Sequence, residues 1–211
     1  MHCKREVMEV LVVTGGIGSG KSEVCRILQH TYGCAVYNAD QRVKLLYDSH
    51  PTLLADIEGL LGESLRSTDG RFLPARLSAM IFSDKDLLRR VEELVFPALT
   101  EDFEEWSKDF TGAGFVVFES ATILEKPQLK GFGDKIVLVD ANIDTRLERA
   151  CIRDSASKES IAARMQNQKL MNSISSGETL PEVDAVIRNT GTLDDLQDAV
   201  VGVIEKLYGN L

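Results

Sequence analysis

Residues Gly15-Gly16-Ile17-Gly18-Ser19-Gly20-Lys21-Ser22 match the pattern GxxxxGK(S/T) in full, directly after the apolar run Val10-Leu11-Val12-Val13. Glycines in such a loop let backbone N–H groups turn inward around a β-phosphate, the lysine reaches β- and γ-oxygens, and the closing serine hydroxyl is placed to ligand Mg2+. Each group meets a charge carried by a nucleoside triphosphate. The stretch Gly16, Ile17, Gly18, Ser19, Gly20, Lys21, Ser22 and Glu23 is therefore the candidate nucleotide site.

Other residues could act on a phosphate held there. Asp40 closes the second apolar stretch, Ala35-Val36-Tyr37-Asn38-Ala39, at the carboxyl edge of a sheet where ligands of such folds bind. It could take the proton of an attacking hydroxyl and orient it in line with the γ-phosphate, or cap a helix starting at Gln41. Glu119 follows Phe115-Val116-Val117-Phe118, where a carboxylate can hold the Mg2+ shell or simply face solvent. Arg149 and Arg153 are four apart on one helical stretch and Arg164 lies on the next. Guanidinium groups of this kind stabilise a transferring phosphoryl group; Arg149 could equally pair with Glu148 or Asp144 in water.

Strands alternating with helices position these groups. Strand one is expected over Glu9 to Thr14, a helix over Gly20 to Thr31 with Val24, Ile27 and Leu28 at helical spacing, and a short strand at Ala35-Val36-Tyr37. Phe115 to Phe118 and Lys135 to Val139 read as buried parallel strands, and Val183 to Ile187 as the last one. Helices are expected over Ile143 to Asp154, Ser157 to Met171, and from a cap at Thr192 to near Tyr208. Between the second and third strands, residues 41–110 carry successive amphipathic helical patterns and no evident strand, broken at Ser49-His50-Pro51 and Thr68-Asp69-Gly70-Arg71, with a capping box at Ser83-Asp84-Lys85-Asp86. A single crossover helix needs only a dozen or so residues, so this passage reads as an inserted helical subdomain. The expected division is a core of 1–40 and 111–211 with a lid at about 153–172, and an insertion of 41–110. The architecture implied is a three-layer α/β fold around a mainly parallel sheet.

The chain has 211 residues, 44% of them hydrophobic, enough to bury roughly 70% of the surface of its unfolded form. Its 24 basic and 33 acidic side chains leave a net charge of −9, the wrong balance for wrapping a nucleic-acid backbone. Cys3, Cys25, Cys34 and Cys151 show no CxxC spacing, and no apolar stretch is long enough to span a bilayer. With no apolar signal core in the first residues, the expectation is a reduced, cytoplasmic protein without membrane or nucleic-acid partners. Cys25 reads as a buried residue or, less simply, as a reactive thiol near a helix N-terminus.

A phosphate loop alone leaves kinases, switches and mechanical ATPases open. The chain has no NKxD motif and no DxxG that follows an expected strand, and its size with a helical insert suits a small-molecule kinase. Along nearly its whole length it resembles the dephospho-CoA kinase family. The resemblance is carried by Thr14 to Ser22, Ala39-Asp40, Ile81-Phe82, Pro97, Glu125, Val137-Leu138-Val139-Asp140, Arg149-Ala150-Cys151-Ile152-Arg153-Asp154, Arg164-Met165-Gln166-Asn167-Gln168, and Asp184 to Gly191.

That resemblance implies ATP- and Mg2+-dependent phosphorylation of the ribose 3′-hydroxyl of dephospho-CoA, on a P-loop kinase fold with a five-stranded parallel sheet, a helical substrate-binding domain and a lid. It implies that Lys21, Asp40 and Arg153 are catalytic, that Arg149 and the loop hold ATP, and that Asp40, Glu125 and Arg164 meet the acceptor. Ser22 and Glu119 are the expected metal residues. Oligomeric state is left open. Several positions depart from the family's usual pattern: Asn38 for the first Asp of an Asp-x-Asp pair, Phe96 for a His before Pro97, Phe72 to Arg76 without a Leu-Asp-Arg sequence, Glu23 for a hydroxyl residue, and Lys158 for an arginine.

Overall fold

The computed structural model describes residues 8–82, 84–111, 114–166, 168 and 180–209. The chain divides into two units, Met1–Asn38 with Phe110–Leu211, and Ala39–Asp109.

The first unit is built on strands β1 (Glu9–Gly15), β2 (Val36–Asn38), β3 (Phe115–Glu119), β4 (Lys135–Asp140) and β5 (Ala185–Arg188), in the order β2-β3-β1-β4-β5. Every pairing is parallel. This is the expected α/β fold with a five-stranded parallel sheet. The interior strand β3 is buried at all five positions, which explains its unbroken apolar run, since a strand of a parallel sheet covered by helices has no solvated face. Side chains alternate between faces. Leu11, Val13, Phe115, Val117, Val137 and Val139 share a core with Val24, Ile27 and Leu28 of helix α1 (Lys21–Tyr32) and with Leu196, Val200 and Ile204 of the last helix, Leu193–Tyr208. Burying each such side chain contributes about 1.5–3 kcal/mol. The alternate residue Phe118 instead stacks on Tyr37 at 5.4 Å and meets Phe132 at 4.5 Å.

Strand boundaries shift slightly from expectation, and those of β2 and β5 have a visible cause. β2 ends at Asn38 because its pairing with β3 continues to Glu119. β5 begins at Ala185, since the Asp184 carboxylate accepts the Ile136 N–H at 2.7 Å and takes the place of a backbone acceptor in the ladder.

The second unit contains α2 (Ala39–Ser49), α3 (Leu53–Leu61), α4 (Pro74–Ile81) and α5 (Lys85–Ser107). Leu46, Leu54, Ile57, Leu77, Val91, Val95 and Leu99 are buried, and Arg42 Nε donates to Asp102 at 2.7 Å between α2 and α5. As expected, no strand is described in this unit; Arg66 and Phe72 form one isolated antiparallel bridge. Gly70, at φ 85°, permits the reversal that brings them together. The N-cap of α5 is Asp84, accepting from Leu87 N–H at 2.9 Å; Ser83 of the expected capping box lies outside the described residues.

Returning to the first unit, α6 (Ile143–Asp154) and α7 (Lys158–Gln166) follow β4, and the closing helix Leu193–Tyr208 is α8. Residues 167 and 169–172 of the expected lid lie outside the described residues. A capping box of Thr192 and Asp195 opens α8. No described helix is long and apolar enough to cross a membrane.

Candidate active site

The loop after β1 ends at Gly20, which is the N-cap of α1 at φ 100° and contributes no side-chain cap. A Cβ there would strike the Asn189 side-chain amide. Glycine thus serves both the left-handed turn and the close approach, and it leaves the positive end of the helix open to an anion. Lys21 Nζ donates to the carbonyls of Gly15 at 2.9 Å and Gly16 at 3.2 Å, which folds the ammonium over the loop.

Beside the loop, Ser22 Oγ donates to Glu119 Oε1 at 2.8 Å and Asn38 Nδ2 donates to Glu119 Oε2 at 2.7 Å. Parallel register makes this possible: Glu119 sits level with Val13 on β1 and with Asn38 on β2. At 6% exposure it is buried, so the solvent-facing reading of Glu119 is wrong. A buried carboxylate needs such donors to offset its lost hydration. Asn38 supplies one of them. The pair of a hydroxyl and a carboxylate is an oxygen donor set that fits Mg2+, which takes few protein ligands and completes its shell with phosphates and water. Among the described residues no group of three or more His, Cys, Asp or Glu could hold a metal by itself.

Asp40 is exposed in the first turn of α2, two residues beyond Asn38. The helix begins at Ala39, so Asp40 lies inside it and is not its cap. Glu23 pairs with Arg26 one turn along α1. Arg149 is half-buried, 3.5 Å from the Asn189 carbonyl, and shares with Gly20, Glu23, Arg26, Asn189 and Thr192 the wall of a cleft of about 430 Å³.

Arg153 and Arg164 converge on one carboxylate. Asp154 accepts from Arg153 Nε at 2.7 Å and from Arg164 Nη1 at 2.7 Å, joining α6 to α7. The two guanidiniums, Arg153 first, hold the Asp154 carboxyl well below the usual carboxylate range. Glu125 closes a single-turn helix, Ile123–Glu125, and lines a separate apolar cavity of about 370 Å³ that no residue of the phosphate loop lines.

The sequence reading passed over Arg146 and assigned no role to Gln168 or Asn189. Arg146 is 1% exposed, donates from Nε to the Ile17 carbonyl at 3.0 Å, and has its basicity lowered by burial, with Asp140 opposing. Gln168 accepts the Ile17 N–H at 2.8 Å, and Asn189 Nδ2 donates to the Ser19 carbonyl at 2.9 Å. A helical arginine defaults to the surface in a sequence reading; the glycines packed on it were the available signal. Cys25 is buried and its thiol is pushed well up by that burial, so it is a packing residue.

A parallel sheet with a phosphate loop between its central strand and α1, a serine–carboxylate pair beside that loop and arginines on the helices after β4 define a P-loop phosphotransferase. The family model for dephospho-CoA kinase matches residues 9–195. A dephospho-CoA kinase of Porphyromonas gingivalis is 38% identical over 79% of this chain and 81% of its own length. That of Chlorobaculum tepidum is 34% identical over 92% and 93%. Among solved structures, TT1252 from Thermus thermophilus superposes with a TM-score of 0.77 at 27% identity, covering 96% of this chain and 99% of its own. This chain belongs to the dephospho-CoA kinase family.

Proposed function

We propose that the chain transfers the γ-phosphoryl group of ATP to the ribose 3′-hydroxyl of dephospho-CoA, giving coenzyme A and ADP, in the cytoplasm. Membership of the family makes it a kinase of coenzyme A biosynthesis; the residue roles and the metal are this reading's own. The observation that carries it is the Ser22–Glu119 pair, standing at the end of a complete phosphate loop.

In this reading the triphosphate lies over the loop, where Lys21 exchanges its two carbonyl partners for β- and γ-oxygens. The Ser22 hydroxyl donates its hydrogen bond to Glu119, so its oxygen lone pairs stay available to a cation. Mg2+, when bound there, supplies charge neutralisation across the phosphates. The nucleoside end enters the cleft lined by Arg149 and Thr192. Asp40 accepts the proton of the 3′-hydroxyl as its oxygen bonds to the γ-phosphorus and the bond to the β-bridging oxygen breaks, releasing ADP. Arg153 and Arg164 leave Asp154 to meet phosphoryl and acceptor charge, and Glu125 contributes to the acceptor site.

A coupled assay of ADP formation with and without dephospho-CoA tests the proposal. ADP release should depend on that acceptor. Strong preference for a free nucleoside would replace the assignment with a different small-molecule kinase, and tight ATP binding with no acceptor phosphorylated would make the chain a nucleotide-binding module.

A further inference from the structure

The loop between β1 and α1 owes its shape to bonds from outside itself. Its carbonyls are taken in turn: Gly15 and Gly16 by Lys21 Nζ, Ile17 by Arg146 Nε, and Ser19 by Asn189 Nδ2. Arg146 comes from α6 and Asn189 from the residue after β5, so two distant parts of the chain grip alternate peptides. The fit is tight. A Cβ at Gly16 would strike the Arg146 guanidinium, one at Gly18 the Arg146 carbonyl, and one at Gly20 the Asn189 amide.

In a planar trans peptide the C=O and the following N–H point in opposite directions. Holding the Ile17 carbonyl toward α6 therefore turns the Gly18 N–H the other way, and holding the Ser19 carbonyl toward Asn189 does the same to the Gly20 N–H. Among the described residues neither of those two amides donates a hydrogen bond. Gln168 adds to the grip by accepting the Ile17 N–H, which keeps that amide outside the hollow. The Ile17 side chain is anchored too, packed against Ala150, Ile161 and Met165 of α6 and α7.

We propose that Arg146 and Asn189 are positioning residues for the phosphate site: each clamps one loop carbonyl and thereby aims the next amide, Gly18 N–H and Gly20 N–H respectively, at the nucleotide's phosphate oxygens. This rests on the nucleotide-binding reading above. Neither side chain has to touch the nucleotide phosphates. Arg146 could not, being 1% exposed beneath the loop. Its Nη2 has no hydrogen-bond partner among the described residues, so Nε at the Ile17 carbonyl is the contact through which it acts on the loop.

The test uses the full chain, ADP and AMP. Arg146→Met keeps the length of the side chain without donors, and Arg146→Gln restores one N–H donor; Asn189→Asp keeps the shape but cannot donate to the Ser19 carbonyl. Calorimetry should show each donor-less variant losing ADP affinity on the order of tenfold, the equivalent of one hydrogen bond, while AMP affinity changes far less and Arg146→Gln recovers part of the loss. Amide spectra of 15N-labelled protein give the sharper readout. On adding ADP the wild-type Gly18 and Gly20 amide protons should both move downfield; Arg146→Met should lose the Gly18 shift and keep that of Gly20, and Asn189→Asp the reverse.

Equal responses of both amides in both variants, or an unchanged ratio of ADP to AMP affinity, would overturn the clamp. Wild-type protein that binds no ADP would instead overturn the nucleotide-binding reading. Should Arg146→Met fail to fold, Arg146→Leu takes its place as the donor-less variant, and Asn189→Asp decides its own half through loss of the Gly20 shift alone.

Discussion

Replacing Glu119 by glutamine tests whether the carboxylate at the end of β3 serves a metal or only the fold. In the wild-type geometry Glu119 accepts from both Ser22 Oγ and Asn38 Nδ2. A glutamine must turn its oxygen toward the Asn38 amide, because two NH2 groups cannot face each other. Its own NH2 then points at Ser22 Oγ and occupies a lone pair that a cation would need. Hydrogen bonds to a charged acceptor exceed neutral ones by about 1 kcal/mol each, so the two contacts weaken by about 2 kcal/mol together. Removing a buried charge returns a similar amount, leaving the unloaded protein within about 5 °C of the wild-type Tm. A cation loses one ionised partner and the lone pair of another, about 2–3 kcal/mol, or roughly 30- to 150-fold in affinity. Thermal unfolding without nucleotide, together with the Mg2+ dependence of turnover at saturating ATP, measures both sides. The expected result is a nearly unchanged Tm with a large rise in half-saturating Mg2+. A Tm lowered by more than 10 °C with an unchanged Mg2+ requirement would refute the reasoning and make Glu119 a structural acid.

Other perturbations separate the remaining roles. Asp40→Asn should lower kcat by at least tenfold with little change in KM for ATP; steady-state kinetics in which ATP affinity fell as much as turnover would argue against proton acceptance. The Asp154 carboxyl is depressed by Arg153 and then Arg164, so its contribution to stability is present above the ordinary carboxylate range and fades as pH falls below it. Melting curves from pH 6 down to pH 3 should accordingly show a smaller acid-induced loss for Asp154→Asn than for wild type, by a small margin because both arginines are exposed. Burial pushes the Cys34 thiol up to about 11 and raises that of Cys25 well above the ordinary thiol value, whereas Cys151 is half-buried. Alkylation of native protein followed by peptide mass spectrometry should find Cys151 modified before Cys25 and Cys34, and early labelling of Cys25 would contradict the packing.

Much of the order of elements is legible in the chain because its signals are local. α6 runs from Ile143 to Asp154, β3 begins at Phe115, and Thr192 caps α8, all as periodicity and capping patterns indicate. Ser83 aside, Asp84 illustrates the limit: a capping box and a single capping acid look alike until the donor is seen at Leu87. The Arg66–Phe72 bridge was illegible because one paired residue on each side of a turn leaves no alternation to read.

By itself the sequence determined where the phosphate loop lies and what chemistry it offers, since closely spaced glycines, Lys21 and Ser22 stand within one short stretch of chain. It also determined the alternation of buried strands and helices, through hydrophobic periods that act over a few residues. Only the tertiary structure decided that Glu119 is buried against Ser22 and Asn38, that Arg153 and Arg164 share Asp154, and that Arg146 lies under the loop at Ile17. Those contacts join residues far apart along the chain. They depend on the register of parallel strands and on which face of α6 is covered, and a one-residue change in either would leave every local signal intact while sending these side chains elsewhere.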